Sequence, residues 1–278
     1  MRTRVLSGLA MAPLLVFVYL GGHVLEAGCF VLTFFALREF YRAFETALGA
    51  RPYYAVGYVS IVLLYAPTVF LDASLLAGSV MLWLFVTVAL CLAVLLKRQD
   101  LRDGAVTLAG LVYVAFFLFH LYLIPFSFTL REGTIVQGFE NYAWLVVLTA
   151  FGTDIFAYFT GVLAGRHKLA PVISPKKTIE GSVGGVLGSV LCCGLFGWFA
   201  LPDLFVHTLV IGALGSVLSQ LGDLAASAVK RALGMKDYGN LIPGHGGILD
   251  RIDSLLFTAP LVYYSIFFLG YAHLSAAL

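Results

Sequence analysis

Charge is what this sequence has least of. Lys, Arg, Asp and Glu together supply 12% of its 278 residues, about half the share usual in a soluble domain, while 61% are hydrophobic. That shortage excludes an ordinary water-facing surface, and the surplus apolar side chains need lipid around them. Seventeen basic residues against fifteen acidic ones leave a formal net charge of only +2, which excludes the electrostatic footprint of a nucleic-acid-binding protein. Cysteine is sparse too. Cys29, Cys91, Cys192 and Cys193 all sit inside apolar runs, without the spacing of metal ligands or of a secreted disulfide framework, and read as buried small hydrophobes. The chain has no G-x-x-x-x-G-K-[ST], no H-E-x-x-H and no G-x-S-x-G run, so it lacks the signatures of P-loop, zinc-protease and α/β-hydrolase chemistry. Linkers, low-complexity segments and internal repeats are absent as well.

What the chain does have is long apolar runs. A transmembrane helix needs about 20 mostly apolar residues. Nine segments qualify: 5–21, 23–37, 53–71, 75–96, 106–124, 143–163, 183–201, 204–226 and 254–273. The second is short, as expected of a tilted or re-entrant helix. The first follows Arg2 and Arg4 like a signal peptide, but no small-residue cleavage site follows and many spans come after, so it reads as a retained helix. These runs predict an all-α, polytopic helical bundle. With the N terminus in the cytoplasm, sixteen of the seventeen basic residues fall on the cytoplasmic side and only Arg131 outside, as the positive-inside rule asks. The C terminus is then outside.

The polar residues divide the chain. Before residue 140 the spans carry almost no ionisable groups; after it come Asp154, Asp223, Asp250 and Asp253. Residues 1–142 therefore read as scaffold and 143–278 as the catalytic region of one continuous membrane domain. In "SQLGDLAASAVKR", Ser219, Asp223, Ser227 and Lys230 are spaced four, four and three apart, which sets them on one helical face. Ionisable groups at bilayer depth face a cavity and a partner. The plainer reading of the same stripe is a structural Asp–Lys pair joining two helices.

The loop that follows, "KDYGNLIPGHGGILDRIDS" from Lys236 to Ser254, is hydrated and glycine-rich between two apolar helices. Its "PGHGG" can turn sharply and aim backbone N–H groups at an anion. Asp250 and Asp253 are three apart at the start of the last helix. Asp250 and Asp223 come from consecutive helices joined at one membrane surface, so they can converge on a hard cation such as Mg2+, which prefers carboxylate oxygens. Asp253 is either a further ligand or compensation for the helix dipole. His245 contacts either a phosphate or the backbone. A second loop, "GRHKLAPVISPKKTIEGSVGG", places Lys176 and Lys177 beside a helix start, where they suit either a polyphosphate or anionic lipid. Asp154, with Tyr158, Gly161 and Gly165, forms a stripe whose glycines admit a neighbouring helix. The acid is then a metal or nucleotide contact, or a packing hydrogen bond.

Carboxylates for a metal and bases for phosphates, on the cytoplasmic face of a lipid-embedded bundle, suit phosphoryl or nucleotidyl transfer to a lipid. At this point a family resemblance appears. Ser227-x-x-Lys230-Arg231, then Lys236-Asp237, then Pro243-Gly244-His245-Gly246-Gly247, then Asp250-Arg251-x-Asp253 resembles the signature of the phosphatidate cytidylyltransferases, with every fixed position filled. "SPKKTIEG" and "QLGDL" are similar to further stretches of that family, so that the likeness covers roughly residues 145–255.

The resemblance implies a Mg2+-dependent reaction in which CTP and phosphatidic acid give CDP-diacylglycerol and pyrophosphate. It implies Asp223 and Asp250 as metal ligands, a second, monovalent cation such as K+ alongside, and a homodimer in the bacterial inner membrane with its active site facing the cytoplasm. It also draws in the motif residues Arg231, Lys236, Asp237, Gly246, Gly247 and Arg251 as substrate contacts, with Lys230 and Ser227 beside the two aspartates at the reacting centre. Three rivals stand beside it: a CTP-dependent lipid kinase, a CDP-alcohol phosphotransferase, whose D-x-x-D-G-x-x-A-R run is absent, and a transporter of an anionic substrate, whose inverted halves are not seen.

Overall fold

The computed structural model describes residues 15–70, 76–98, 100–129, 141–241 and 246–276. The protein is all-α, as the apolar runs predict. Its helices are α1 (Gly22–Leu48), α2 (Tyr54–Phe70), α3 (Leu76–Arg98), α4 (Leu101–Gly110), α5 (Phe117–Thr129), α6 (Tyr142–Ala164), α7 (Ile179–Ala200), α8 (Phe205–Ala232) and α9 (Leu249–Ala276). A π-helical turn, Leu111–Phe116, makes α4 and α5 one continuous rod. Among the described residues, five helical segments are long and apolar enough to cross a membrane: Val80–Lys97, Leu101–Ile124, Tyr142–Ala164, Ile179–Ala200 and Pro202–Ala232. They correspond to the predicted spans 75–96, 106–124, 143–163, 183–201 and 204–226. The predicted span 254–273 falls inside α9, and most of 5–21 lies outside the described residues.

The expected short second span gives way to a 27-residue helix, α1. Hydropathy registers only its apolar part. The helix continues past residue 37 because Glu39, Phe40, Tyr41 and Ala43 are buried, and it stops at Gly49, whose left-handed φ of 64° suits glycine and whose N–H reaches Glu45 O. Also unexpected is a small antiparallel hairpin, β1 (Lys168–Ala170) and β2 (Ser174–Thr178), pairing Lys168 with Thr178 and Ala170 with Ser174.

The chain forms two compact units, Met1–Ile135 with Lys230–Ile252, and Val136–Val229 with Asp253–Leu278. In the first, Leu37, Tyr41, Leu111, Leu118, Phe119 and Leu121 are fully buried. The Tyr65 ring meets Phe119 at 5.0 Å and Tyr122 at 5.1 Å, within the range of favourable edge-on aromatic pairs. Hydrogen bonds stitch this core internally: Tyr41 donates to Thr107 O (2.9 Å), and the backbone N–H groups of Arg51 and Tyr53 donate to Asp103 Oδ1 (2.6 Å) and Thr107 Oγ1 (2.8 Å).

In the second unit α6 and α7 lie against each other along their length. The approach depends on small residues. A Cβ on Gly184 would overlap Thr160, and one on Gly188 would overlap the ring of Phe156, so both positions require glycine. Beside this glycine contact α7 exposes Leu187, Leu191, Leu195, Trp198 and Phe199, which is intelligible only against lipid or another apolar surface.

Candidate active site

The predicted site residues resolve into two clusters, one within each unit. In the first, α8 ends on Lys230 and Arg231, cations that suit the negative end of a helix dipole. Chain reversal follows at once: Gly234, with φ 68°, donates to Arg231 O, and Met235 donates to Lys230 O. Arg231 itself donates to Met235 O at 3.3 Å.

The loop then returns to α9, whose first turn carries Asp250. Both oxygens of this carboxylate are engaged. Oδ1 accepts from Lys230 Nζ at 2.7 Å, and Oδ2 accepts from the backbone N–H groups of Tyr238 (2.8 Å) and Gly247 (2.9 Å). The Asp250 side chain is 5% exposed and that of Lys230 11%. The Tyr238 ring lies 5.4 Å from the ammonium, close enough for a cation–π contact. Gly246 adopts φ 81°, and a Cβ there would sit 3.0 Å from Asp250 Oδ2, so its glycine is set both by backbone conformation and by room beside the acid. Lys236 and Asp237 are exposed and Arg251 half-buried. His245 lies outside the described residues.

The second cluster is built on α6, β2 and α8. Lys177 Nζ pairs with Asp223 Oδ2, and Ser227, one turn on, donates to Asp223 Oδ1 at 3.4 Å. Asp154 on α6 is accessible and near enough to Asp223 and Lys177 to feel both charges. Sequence reasoning treats Lys176 and Lys177 alike, as contacts to a polyphosphate or to anionic lipid. The strand separates them, because alternate residues of β2 face opposite ways: Lys176 is exposed and Lys177 half-buried. The hairpin is braced by Glu180, which accepts the Arg166 N–H (3.0 Å) and approaches His167 Nδ1 (2.6 Å). Thr178 caps α7 by accepting the Gly181 N–H. Ser219 is buried, its hydroxyl without a hydrogen-bond partner. Asp253 is buried, with Oδ1 accepting the Ser254 N–H at 2.8 Å.

These acids offer hard oxygen donors of the kind Mg2+ takes. Among the described residues no group of three or more His, Cys, Asp or Glu could hold a metal by itself. The ammonium groups now on Asp223 and Asp250 mark where a cation is favoured.

One acid that sequence reasoning missed also reaches the first cluster. Glu39 of α1 accepts the N–H of Leu249, the first residue of α9, at 2.9 Å. Its only sequence signal is an acid just past the apolar part of α1, in the half read as scaffold.

Comparison with known proteins identifies the family. The model of the cytidylyltransferase family matches residues 2–269. The chain is 33% identical to the phosphatidate cytidylyltransferase of Bacillus subtilis strain 168 over 273 residues, 95% of this chain and 97% of the relative. It is 36% identical to that of Synechocystis sp. PCC 6803, covering 92% of both chains. A third similar protein, the phosphatidate cytidylyltransferase of Staphylococcus saprophyticus, is 41% identical over 171 residues, 60% of each chain.

Proposed function

Because the chain belongs to the cytidylyltransferase family, we propose that it transfers CMP from CTP to phosphatidic acid, forming CDP-diacylglycerol and pyrophosphate at the cytoplasmic face of a bacterial inner membrane. In this reading an ionised oxygen of the lipid phosphate attacks the α-phosphorus of CTP. The bond between the α-phosphorus and the oxygen bridging to the β-phosphate breaks, and its electron pair leaves with pyrophosphate. The attacking oxygen is already charged, so no general base is needed. What the protein must do is bring two anions together in line.

The observation that carries the proposal is the Lys230–Asp250 pair, held by two loop N–H groups inside the signature segment. Asp223 and Asp250, with Asp253 as the third carboxylate of the set, would hold Mg2+. When bound, the ion supplies positive charge to the triphosphate. A monovalent cation such as K+ beside it belongs to the same proposal. Lys230 and Lys177 would then turn from their carboxylates to phosphate oxygens. In this reading Lys176, Arg231, Lys236 and Arg251 would contact the nucleotide, together with Asp237, Asp154, His245, Gly246 and Gly247. The protein acts as a homodimer in this reading, with CTP arriving from water and phosphatidic acid from the bilayer.

Purified protein supplied with phosphatidic acid, Mg2+ and CTP labelled in the cytosine ring should place the label on lipid and release pyrophosphate. CTP labelled at the γ-phosphate should leave the lipid unlabelled; γ-label on lipid would establish a kinase instead. Cross-linking in native membranes tests the dimer, which a purely monomeric product would exclude.

A further inference from the structure

We propose that Glu39 is a positioning residue for Asp250: it holds the start of α9 and the glycine loop in the register that presents the Asp250 carboxylate. The inference rests on the role given to Asp250 above. Glu39 lies 210 residues away from Leu249 in sequence, yet its Oε2 accepts the Leu249 N–H at 2.9 Å. Leu249 opens α9 and is fully buried, so this N–H, which no helical carbonyl can satisfy, has no water to turn to. Glu39 thus ties down the residue that immediately precedes Asp250.

Two glycines of the described loop segments stand against Glu39. A Cβ on Gly247 would overlap Glu39 Oε2, and one on Gly239 would stand 2.8 Å from Oε1. Those glycines belong to the same two chain segments that grip Asp250 through the N–H groups of Tyr238 and Gly247. The segments at 238–239 and 246–247 therefore lie between two carboxylates, with Asp250 held by their N–H groups and Glu39 pressed against their glycines. Phe40, the next residue of α1, adds a ring contact to Tyr238 at 6.3 Å.

Simple space-filling does not account for an acid here. Glu39 is 8% exposed, and its Oε1 is buried without a hydrogen-bond partner. A leucine would fill similar volume without the desolvation cost of a buried carboxylate. A side-chain oxygen is intelligible here if its use is to grip a helix start, where a buried N–H needs an acceptor that leucine lacks. Residues that support a metal ligand in this way typically change metal affinity or activity about 10–100-fold when removed.

The test uses the full chain in detergent micelles, with Mn2+ as the probe ion in the presence of CTP. Bound Mn2+ is followed by loss of the free-ion paramagnetic resonance signal, and amide exchange at residues 246–252 by mass spectrometry. Glu39→Ala should weaken Mn2+ binding about 10–100-fold and speed exchange at Leu249. Glu39→Gln, whose side-chain carbonyl still accepts the Leu249 N–H, should restore most of both. Should Glu39→Ala fail to fold, Glu39→Asp replaces it: one methylene shorter, it withdraws from the N–H and should behave as Ala is expected to.

A lower melting temperature with unchanged Mn2+ binding and unchanged exchange would reduce Glu39 to a packing role and overturn the proposal, as would a Gln variant as impaired as the Ala or Asp variant. Asp250→Asn separates the two layers. Unchanged Mn2+ binding in that variant sinks the assignment of Asp250 itself. Loss there, beside wild-type binding in Glu39→Ala, sinks only the positioning role.

Discussion

Lys230 and Lys177 each close on one carboxylate, and the effect of removing either ammonium should follow its burial. Lys230→Gln leaves a carboxylate that is 5% exposed without its counter-charge, whereas the Lys177–Asp223 pair is 27% exposed on both sides and better screened by solvent. Breaking a buried pair costs about 3–5 kcal/mol, against about 0–1 kcal/mol for an exposed one. Lys230→Gln should therefore lower both melting temperature and turnover sharply. Lys177→Gln should lower turnover with a smaller loss of stability, and Lys97→Gln, at an exposed helix end, should change neither. Thermal unfolding in detergent beside initial rates checks all three; equal small effects would return the lysines to topology anchors. Helical spacing brought Asp223, Ser227 and Lys230 into view together, and the Ser227–Asp223 contact follows from it. It could not show that Lys230 pairs with Asp250, because that depends on the path of the loop between α8 and α9. Glu39 was hidden for the same reason, since only the folded chain brings α1 to the start of α9.

Among the elements, the glycine face of α7 makes the clearest claim. Gly188→Ala puts a methyl group into the ring of Phe156, and such overpacking costs about 1–3 kcal/mol. Gly104→Ala in α4 meets nothing closer than 3.9 Å and should stabilise the protein by about 0.5–1 kcal/mol through backbone entropy. Opposite shifts in melting temperature are expected, and a fall in both would mean that these helices pack differently. The helices were legible because lipid-facing runs must be both long and apolar. The end of α1 was not, since Arg38, Glu39, Arg42 and Glu45 read as a boundary although the helix runs through them. Nor was the β1–β2 hairpin, whose Ser174-Pro175-Lys176-Lys177 has no apolar alternation. Its shape comes instead from pairing and from the Glu180 brace.

For the molecule as a whole, the lopsided basic residues predict an orientation that impermeant thiol reagents can test. Cys29, Cys91 and Cys193 are buried and Cys192 is half-buried, so the native thiols should give little background. A cysteine at position 176 should react only when the cytoplasmic side is opened. One at position 203, in the turn between α7 and α8, should react in intact spheroplasts. The reverse pattern would invert the topology and remove the route by which CTP is proposed to arrive. The multi-pass character was legible from composition alone. The reading of residues 1–142 as scaffold still needs Glu39 set beside it, because one acid of that half grips the signature loop.

If Mg2+ serves the reaction as proposed, the lysines on Asp223 and Asp250 bear on how the protein endures its shortage. Each carboxylate is matched by an ammonium from its own chain, so folding does not have to recruit a divalent ion from the medium. Chelation should accordingly stop turnover while leaving the melting temperature where it was, quite unlike a protein whose structure is knitted by its metal. A cell short of magnesium would then hold an idle but intact pool of protein, and resupply would restore activity without new synthesis.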